Sequence, residues 1–317
     1  MPAESPSRAN LKAFLNSECG NAEAARGALD KVGFDLEVVK PAELEAHLRK
    51  AIDGGAKRIL VAGGDGTIAT AAALVAKRDV ELAILPGGTL NHFAHDHNIP
   101  TDLGEAALVA GGKGVAAKAD IGYVNDCVFL NTSSIGAYVT FVRDREHFEK
   151  RVGYAIASVA ALVKTFSELR SFSVTLETEG QKKTYRASLV FIGVGERELK
   201  MPTLGSRVKD GRAGLHVMIV RGRKRARLFM LALAAIARGT KEAEQLPEFD
   251  EFIVDHCRID LNRPRATIGL DSELKRLTTP LDYHVERDAL RLVVAAPAGD
   301  QQLDSSNGRR ASGRDRR

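Results

Sequence analysis

Gly63-Gly64-Asp65-Gly66-Thr67 follows a short apolar run, Arg58 to Ala62, and leads into a segment with helical pattern. A glycine-rich turn between a strand and a helix suits phosphate. Glycine reaches positive φ without a Cβ clash, and the first N–H groups of the helix point outward without intrahelical partners. A second stretch, Pro86-Gly87-Gly88-Thr89-Leu90-Asn91, stands in the same relation to the apolar run Leu82 to Leu85. Two such turns at the carboxyl ends of neighbouring strands form one crevice. No Gly-Lys-Ser/Thr follows either turn, which excludes a Walker loop, and neither fits the dinucleotide fingerprint Gly-x-Gly-x-x-Gly. With no lysine in the turn, Asp65 needs an explanation, because a carboxylate repels phosphate unless a cation lies between them. Magnesium is the natural inference. Alone, Gly-Gly-Asp-Gly reads equally well as an ordinary tight turn.

Around these turns, strand and helix patterns alternate. After residues 1–9, which read as disordered, come a strand at Leu11 to Leu15, an alanine-rich helix at about Asn21 to Lys31 and a strand at Phe34 to Val39. A helix from Pro41 to about Asp53 follows, proline being favoured in a first turn. The two runs before the glycine turns supply strands three and four, with a helix from about Thr67 to Lys77 between them. This alternation predicts a doubly wound parallel sheet with its ligand at the carboxyl edge. Next come a short helix, Leu103 to Gly111, a strand, Val115 to Tyr123, and one strand spanning Val128 to Gly136. Two helical segments follow, Ala137 to Lys150 and Tyr154 to Leu169.

The pattern then changes to short strands at Phe172 to Glu177, Thr184 to Val194, Leu215 to Arg221, Phe252 to Leu261, Arg265 to Leu270, Leu281 to Glu286 and Ala289 to Ala295. Such a series predicts an antiparallel β-sandwich. A helix at Ala226 to Ala237 interrupts it and reads either as buried or as dipping into a bilayer surface. The fold class is therefore α/β: a doubly wound parallel-sheet nucleotide-binding domain over residues 10–126, an antiparallel β-sandwich domain over 127–298, and a disordered basic tail over 299–317.

As a pair, the two glycine turns resemble the catalytic domain of the diacylglycerol kinase family, which includes sphingosine and ceramide kinases and bacterial lipid kinases. There the first turn reads GGDGT and the second resembles PLGTxNDFA, here Pro86-Gly87-Gly88-Thr89-Leu90-Asn91-His92-Phe93-Ala94. The resemblance implies ATP lying across the turns, its phosphates on the amides of Gly63, Gly64, Gly66 and Gly88 and the hydroxyls of Thr67 and Thr89, with Asn91 in the same binding segment. Asn16, kept from a degraded NPxSG opening loop, joins the nucleotide site. Asp65 and Asp120, in Lys118-Ala119-Asp120-Ile121-Gly122, are the implied magnesium ligands, and Asp210 matches a structural magnesium loop. Leu270-Asp271-Ser272-Glu273 resembles the family's DGE, which makes Glu273 the base toward the substrate hydroxyl, oriented by Asp271.

The implied activity is ATP-dependent phosphorylation of a lipid hydroxyl, with diacylglycerol the first guess. Two departures bear on it: His92 stands where the family has an acid, and Ser272 replaces glycine. They keep open a nucleotide-binding regulator with weakened catalysis. NAD kinases, which share a GGDG turn, are a soluble alternative. His92 and His95 lie one helical turn apart, which also admits a metal site.

A chain of 317 residues can build two domains, and its three cysteines lack CxxC spacing, which reads as reduced thiols in a cytoplasmic protein. No stretch reaches the roughly eighteen apolar residues of a membrane span, and no signal-peptide pattern opens the chain. The net charge is +5, with basic runs at Arg221 to Arg227 and in the tail (Arg309, Arg310, Arg314, Arg316, Arg317). These runs read as solvated faces, or as attraction to anionic lipid at about 1 kcal/mol per basic residue near the surface. No stacking aromatics accompany them, so nucleic acid is not expected. The expected partner is a lipid substrate at a membrane surface, reached from the cytoplasmic face, with a homodimer left open.

Overall fold

The computed structural model describes residues 11–88, 91–136, 139, 171–198, 205–221, 249–271 and 273–296. The chain divides into two compact units, one formed by residues up to Lys118 and from Leu290 on, the other by Ala119–Ala289. A single boundary near Asp126 was expected; the chain instead leaves the first unit at Lys118 and returns to it at Leu290. The expected helices over 137–150, 154–169 and 226–237 and the basic tail over 299–317 lie outside the described residues.

The first unit runs β1 (Lys12–Asn16), α1 (Ala22–Val32), β2 (Asp35–Val39), α2 (Pro41–Asp53), β3 (Arg58–Gly63), α3 (Asp65–Val75), β4 (Glu81–Pro86), α4 (His92–Asp96) and α5 (Leu103–Leu108). A π turn, Val109–Lys113, then leads into β5 (Gly114–Val124). The strands pair in parallel in the order β2-β1-β3-β4. Every residue of β3 is buried, as expected for a central parallel strand covered on both faces. Local sequence sets the helix ends. Pro41 opens α2, Gly33 closes α1 in the left-handed conformation at φ 83°, and the Asp102 side chain caps α5 by accepting the Glu105 N–H. The expected helix to Gly111 ends at Leu108, where the π turn takes over. Ala13, Leu15, Leu29, Leu60, Ala62 and Leu85 share one core.

The second unit holds β6 (Cys127–Phe129), β7 (Thr132–Gly136), β8 (Phe172–Thr178), β9 (Gln181–Val194), β10 (Arg197–Glu198), β11 (Ser206–Arg207), β12 (Leu215–Arg221) and β13 (Phe249–Val254). β14 (His256–Asp260), β15 (Arg265–Leu270), β16 (Glu273–Thr278) and β17 (Leu281–Ala295) follow. The long β9 joins β8, β7 and β12, each antiparallel. The single strand expected over Val128 to Gly136 is two, because Leu130 and Asn131 turn their N–H groups toward the Asp271 carboxylate. The strand expected over Phe252 to Leu261 breaks at Asp255, whose carbonyl accepts the Val285 N–H. Conversely, the two strands expected between Leu281 and Ala295 are one, β17, which passes through Asp288 at φ 53°. Beyond Leu290 it lies in the first unit, where Arg291 and Leu292 pair in parallel with Glu81 and Leu82. The core of the second unit is built on Phe129, Val190, Ile192, Val217, Ile268 and Tyr283, the Tyr283 hydroxyl lying 3.0 Å from Ser133 Oγ.

Candidate active site

In the order β2-β1-β3-β4 the connections reverse direction between β1 and β3, and an α/β sheet binds ligands beyond the strand ends at such a switch point. Asn16 ends β1 and Gly63 ends β3. Asn16 Nδ2 donates to Thr67 Oγ1 at 2.9 Å, while Asn16 Oδ1 accepts the Glu18 N–H. Thr67 is 7 % exposed and sits beneath Gly63, where a Cβ would fall 2.5 Å from its Oγ1. The Asn16 amide and the Thr67 hydroxyl, both read as nucleotide contacts, thus brace the loop against the first turn. Gly64 precedes α3 and gives the first N–H groups of the helix no side-chain cap.

The second turn closes directly onto the first. The Gly87 N–H donates to the Gly63 carbonyl at 2.9 Å, and a Cβ on Gly88 would lie 2.8 Å from Gly64 Cα. Only glycine permits that approach. Asn91, in the left-handed conformation at φ 48°, bonds Gly88 twice: its Oδ1 accepts the Gly88 N–H at 3.0 Å and its Nδ2 donates to the Gly88 carbonyl at 2.8 Å. Its side chain therefore shapes the turn. Thr89 lies outside the described residues.

Asp65 begins α3. Burial pushes its carboxyl above the usual carboxylate range, against the opposing pull of His92 and of the Phe93 and His92 N–H groups, which bond the carboxylate. Nearby Asp96 adds to the upward push. Among the described residues the buried Asp65 Oδ1 has no hydrogen-bond partner. An orphaned carboxylate oxygen beside an uncapped helix N-terminus fits a magnesium ion, which takes one or two carboxylates and completes its shell with phosphates and water. Among the described residues no three His, Cys, Asp or Glu side chains gather as a metal site, His92 and His95 included.

The other candidate residues lie in the second unit. Asp120 Oδ1 accepts the Asp288 N–H at 2.9 Å and so supports the left-handed step in β17. Asp210 is exposed, at φ 62°, in a turn closed by the Gly211 N–H on the Val208 carbonyl. Glu273 is exposed at the start of β16, opposite Leu270. The Asp271 carboxylate accepts three successive backbone N–H groups, those of Leu130, Asn131 and Thr132.

Sequence reading missed Cys19, whose Sγ would lie 3.2 Å from a Cβ on Gly87. It also missed the His92 and Phe93 amides that hold Asp65. Backbone donors leave no mark in a motif, and only the strand-turn-helix context of Asn91 hinted at them.

Residues 10–124 match the family model described as the diacylglycerol kinase catalytic domain. A Cronobacter sakazakii protein named "Probable lipid kinase YegS-like" is 28% identical over 193 residues, 57% of this chain and 64% of that protein. A Pseudomonas syringae protein of the same name is 33% identical over 193 residues, 58% of this chain and 60% of its own length. The chain thus matches 60% to 64% of the length of these curated relatives. A crystal structure of a Bacillus anthracis diacylglycerol kinase covers 91% of this chain and 97% of its own with a TM-score of 0.65 at 17% identity, a likeness of fold. Over residues 10–124, the chain is thus similar to the diacylglycerol kinase catalytic domain.

Proposed function

We propose that the protein transfers the γ-phosphate of ATP to a lipid hydroxyl, with diacylglycerol the first candidate substrate. The observation that carries this reading is Asp65 Oδ1, without a hydrogen-bond partner among the described residues and beside the uncapped first turn of α3, in a segment similar to the diacylglycerol kinase catalytic domain. The N–H groups of Gly63, Gly64 and Gly66 receive the phosphates, in a site braced by Asn16, Thr67 and Asn91, whose Oδ1 already takes the Gly88 N–H. Asp65 and Asp120 would hold magnesium, which would supply charge neutralisation for the phosphates. Glu273 takes the proton from the lipid hydroxyl as that oxygen attacks phosphorus and the bond to ADP breaks. Phosphoryl transfer is mostly positioning and charge stabilisation, so a turn without lysine is chemically adequate. By the resemblance, Asp210 would hold a structural magnesium.

Among the described residues no helix is long and apolar enough to cross a membrane. The proposed partner is a lipid substrate at a membrane surface. One observation favours a second reading, a regulator that binds nucleotide without turnover: His92 occupies the place of the family's acid, directly beside Asp65. The deciding experiment offers labelled ATP and magnesium with diacylglycerol, monoacylglycerol, sphingosine, ceramide or a polyprenol in mixed micelles, and NAD as soluble control. Label in a lipid supports the kinase and names its substrate; ATP binding without label in any acceptor supports the regulator; label in NAD alone refutes the lipid assignment.

A further inference from the structure

Arg263, Arg265, Lys275 and Arg276 are all exposed, and they stand on the hairpin β15–β16 and the connection that enters it. Register puts Arg265 opposite Thr278 and Thr267 opposite Arg276, so Arg265 and Arg276 are diagonal neighbours on one face, roughly 7–8 Å apart. Lys275 alternates to the other face, yet it too is exposed, because among the described residues β16 pairs with β15 alone and is an edge strand. Arg263 is held at the same end of the hairpin. The Thr279 N–H donates to the Pro264 carbonyl at 3.1 Å, and the Thr279 hydroxyl donates to the Arg263 carbonyl.

Among the described residues none of the four side chains meets a carboxylate, whereas Arg49, Arg78, Arg287 and Arg291 each do. The acids nearest in sequence are turned to the backbone: Asp271 accepts the N–H groups of Leu130, Asn131 and Thr132, and Asp260 accepts that of Asn262. Only Glu273, exposed at the first position of β16, stands on the hairpin as a free acid among the described residues. Charges on an edge strand also discourage pairing with another edge, which accounts for Lys275 and Arg276. It does not account for Arg263 on the connection, nor for Arg265 on a strand paired on both sides.

Cations left uncompensated within one short hairpin call for an anionic partner, and their neighbours indicate its form. No aromatic residue occurs from Asn262 to Pro280, so nucleic-acid bases would find no stacking surface. Leu274, half-buried, shares the face of Arg276, and an aliphatic group beside a cation suits headgroups above acyl chains. We infer that the β15–β16 hairpin docks on the anionic phospholipid headgroups of a bilayer surface through Arg263, Arg265, Lys275 and Arg276. Its purpose rests on the reading of Glu273 as the base. Glu273 begins the same strand, about 7 Å from Lys275, so docking carries the base to the surface where a lipid hydroxyl is presented.

The test is flotation of the full chain, without ATP, on vesicles of phosphatidylcholine alone or mixed with phosphatidylglycerol, at low and at high salt. It compares wild type with a variant carrying Arg263→Gln, Arg265→Gln, Lys275→Gln and Arg276→Gln. A control of equal charge carries Arg26→Gln, Lys31→Gln, Lys40→Gln and Lys50→Gln, all exposed on the first unit. Each cation near an anionic surface strengthens binding about fivefold, so the hairpin variant should bind mixed vesicles more weakly by roughly several hundredfold at low salt. The control should bind as wild type does, and high salt should remove most of the difference. Wild type that ignores mixed vesicles, a hairpin variant that binds like wild type, or a control that loses as much overturns the inference. So does a single-stranded oligonucleotide bound more tightly than the vesicles and released by the same four substitutions. Should the fourfold variant not fold, Lys275→Gln with Arg276→Gln takes its place, with an expected loss of about 25-fold. The kinase reading fails separately: wild type that floats with mixed vesicles but labels no lipid removes the base and leaves the docking surface standing.

Discussion

Replacing Gly88 with alanine probes how the two glycine turns fit together. The new Cβ would lie 2.8 Å from Gly64 Cα and 2.9 Å from Asn91 Oδ1. The first neighbour is backbone and cannot swing aside. The second belongs to the side chain that bonds Gly88 at both its N–H and its carbonyl. Overpacking of this kind costs about 1–3 kcal/mol, and each lost hydrogen bond about 1 kcal/mol more. If one of the two bonds survives, the loss is about 2–4 kcal/mol. At roughly 2–4 °C per kcal/mol for a domain of this size, the midpoint should fall by about 4–16 °C. Because Gly64 precedes α3, the same displacement moves the amides that receive phosphate, so ATP affinity should fall as well. Thermal unfolding by circular dichroism, with and without ATP and magnesium, reads both effects. Gly20→Ala is the control, since nothing lies within 4 Å of a Cβ there. A Gly88→Ala protein that melts within about 1 °C of wild type and binds ATP equally well would refute the reasoning.

Other substitutions test other parts of the account. Gly27 lies inside α1 with open space around a Cβ, so Gly27→Ala should stabilise the protein by about 0.5–1 kcal/mol in chemical denaturation. Arg58, buried, bonds Glu81 at 2.7 Å and the Ala110 carbonyl at 3.0 Å; Arg58→Ala leaves Glu81 short of a partner and should cost about 3–5 kcal/mol, part of it recovered by Arg58→Leu with Glu81→Leu. Burial lowers the pKa of His216, against the pull of Glu251 and Glu196 and with that of Arg212. The unfolded chain, near pH 6.5, therefore takes up this proton before the folded one. The stability it contributes is whole above about pH 6.5 and is lost as pH falls through the folded value. His216→Asn, which can still accept the Arg197 N–H, should flatten that part of the curve of melting temperature against pH.

Much of the first unit was legible because its signals are local. Pro41–Asp53 has the bounds read from sequence, and the apolar runs before the two glycine turns are the central strands β3 and β4. In the second unit Leu215–Arg221 and Arg265–Leu270 were also read at their true bounds. What escaped depends on partners far along the chain. The split between β6 and β7 follows from a carboxylate 140 residues away, and no local pattern reports it. The continuity of β17 through Asp288 depends on Asp120, and its end, which belongs to the first unit, pairs with β4 there. At the site, residue types were legible but their partners were not. Asn16, Thr67 and Asn91 look like ligand contacts in a motif, whereas the folded chain uses their side chains to hold the turns.

The central claim is tested most directly by phosphate transfer from γ-labelled ATP to diacylglycerol in mixed micelles, measured for wild type, Asp65→Asn and Glu273→Gln. The account predicts labelled phosphatidic acid from wild type, none above background with Asp65→Asn, and turnover lower by about a hundredfold or more, with ATP affinity kept, for Glu273→Gln. Equal labelling by all three proteins would contradict it.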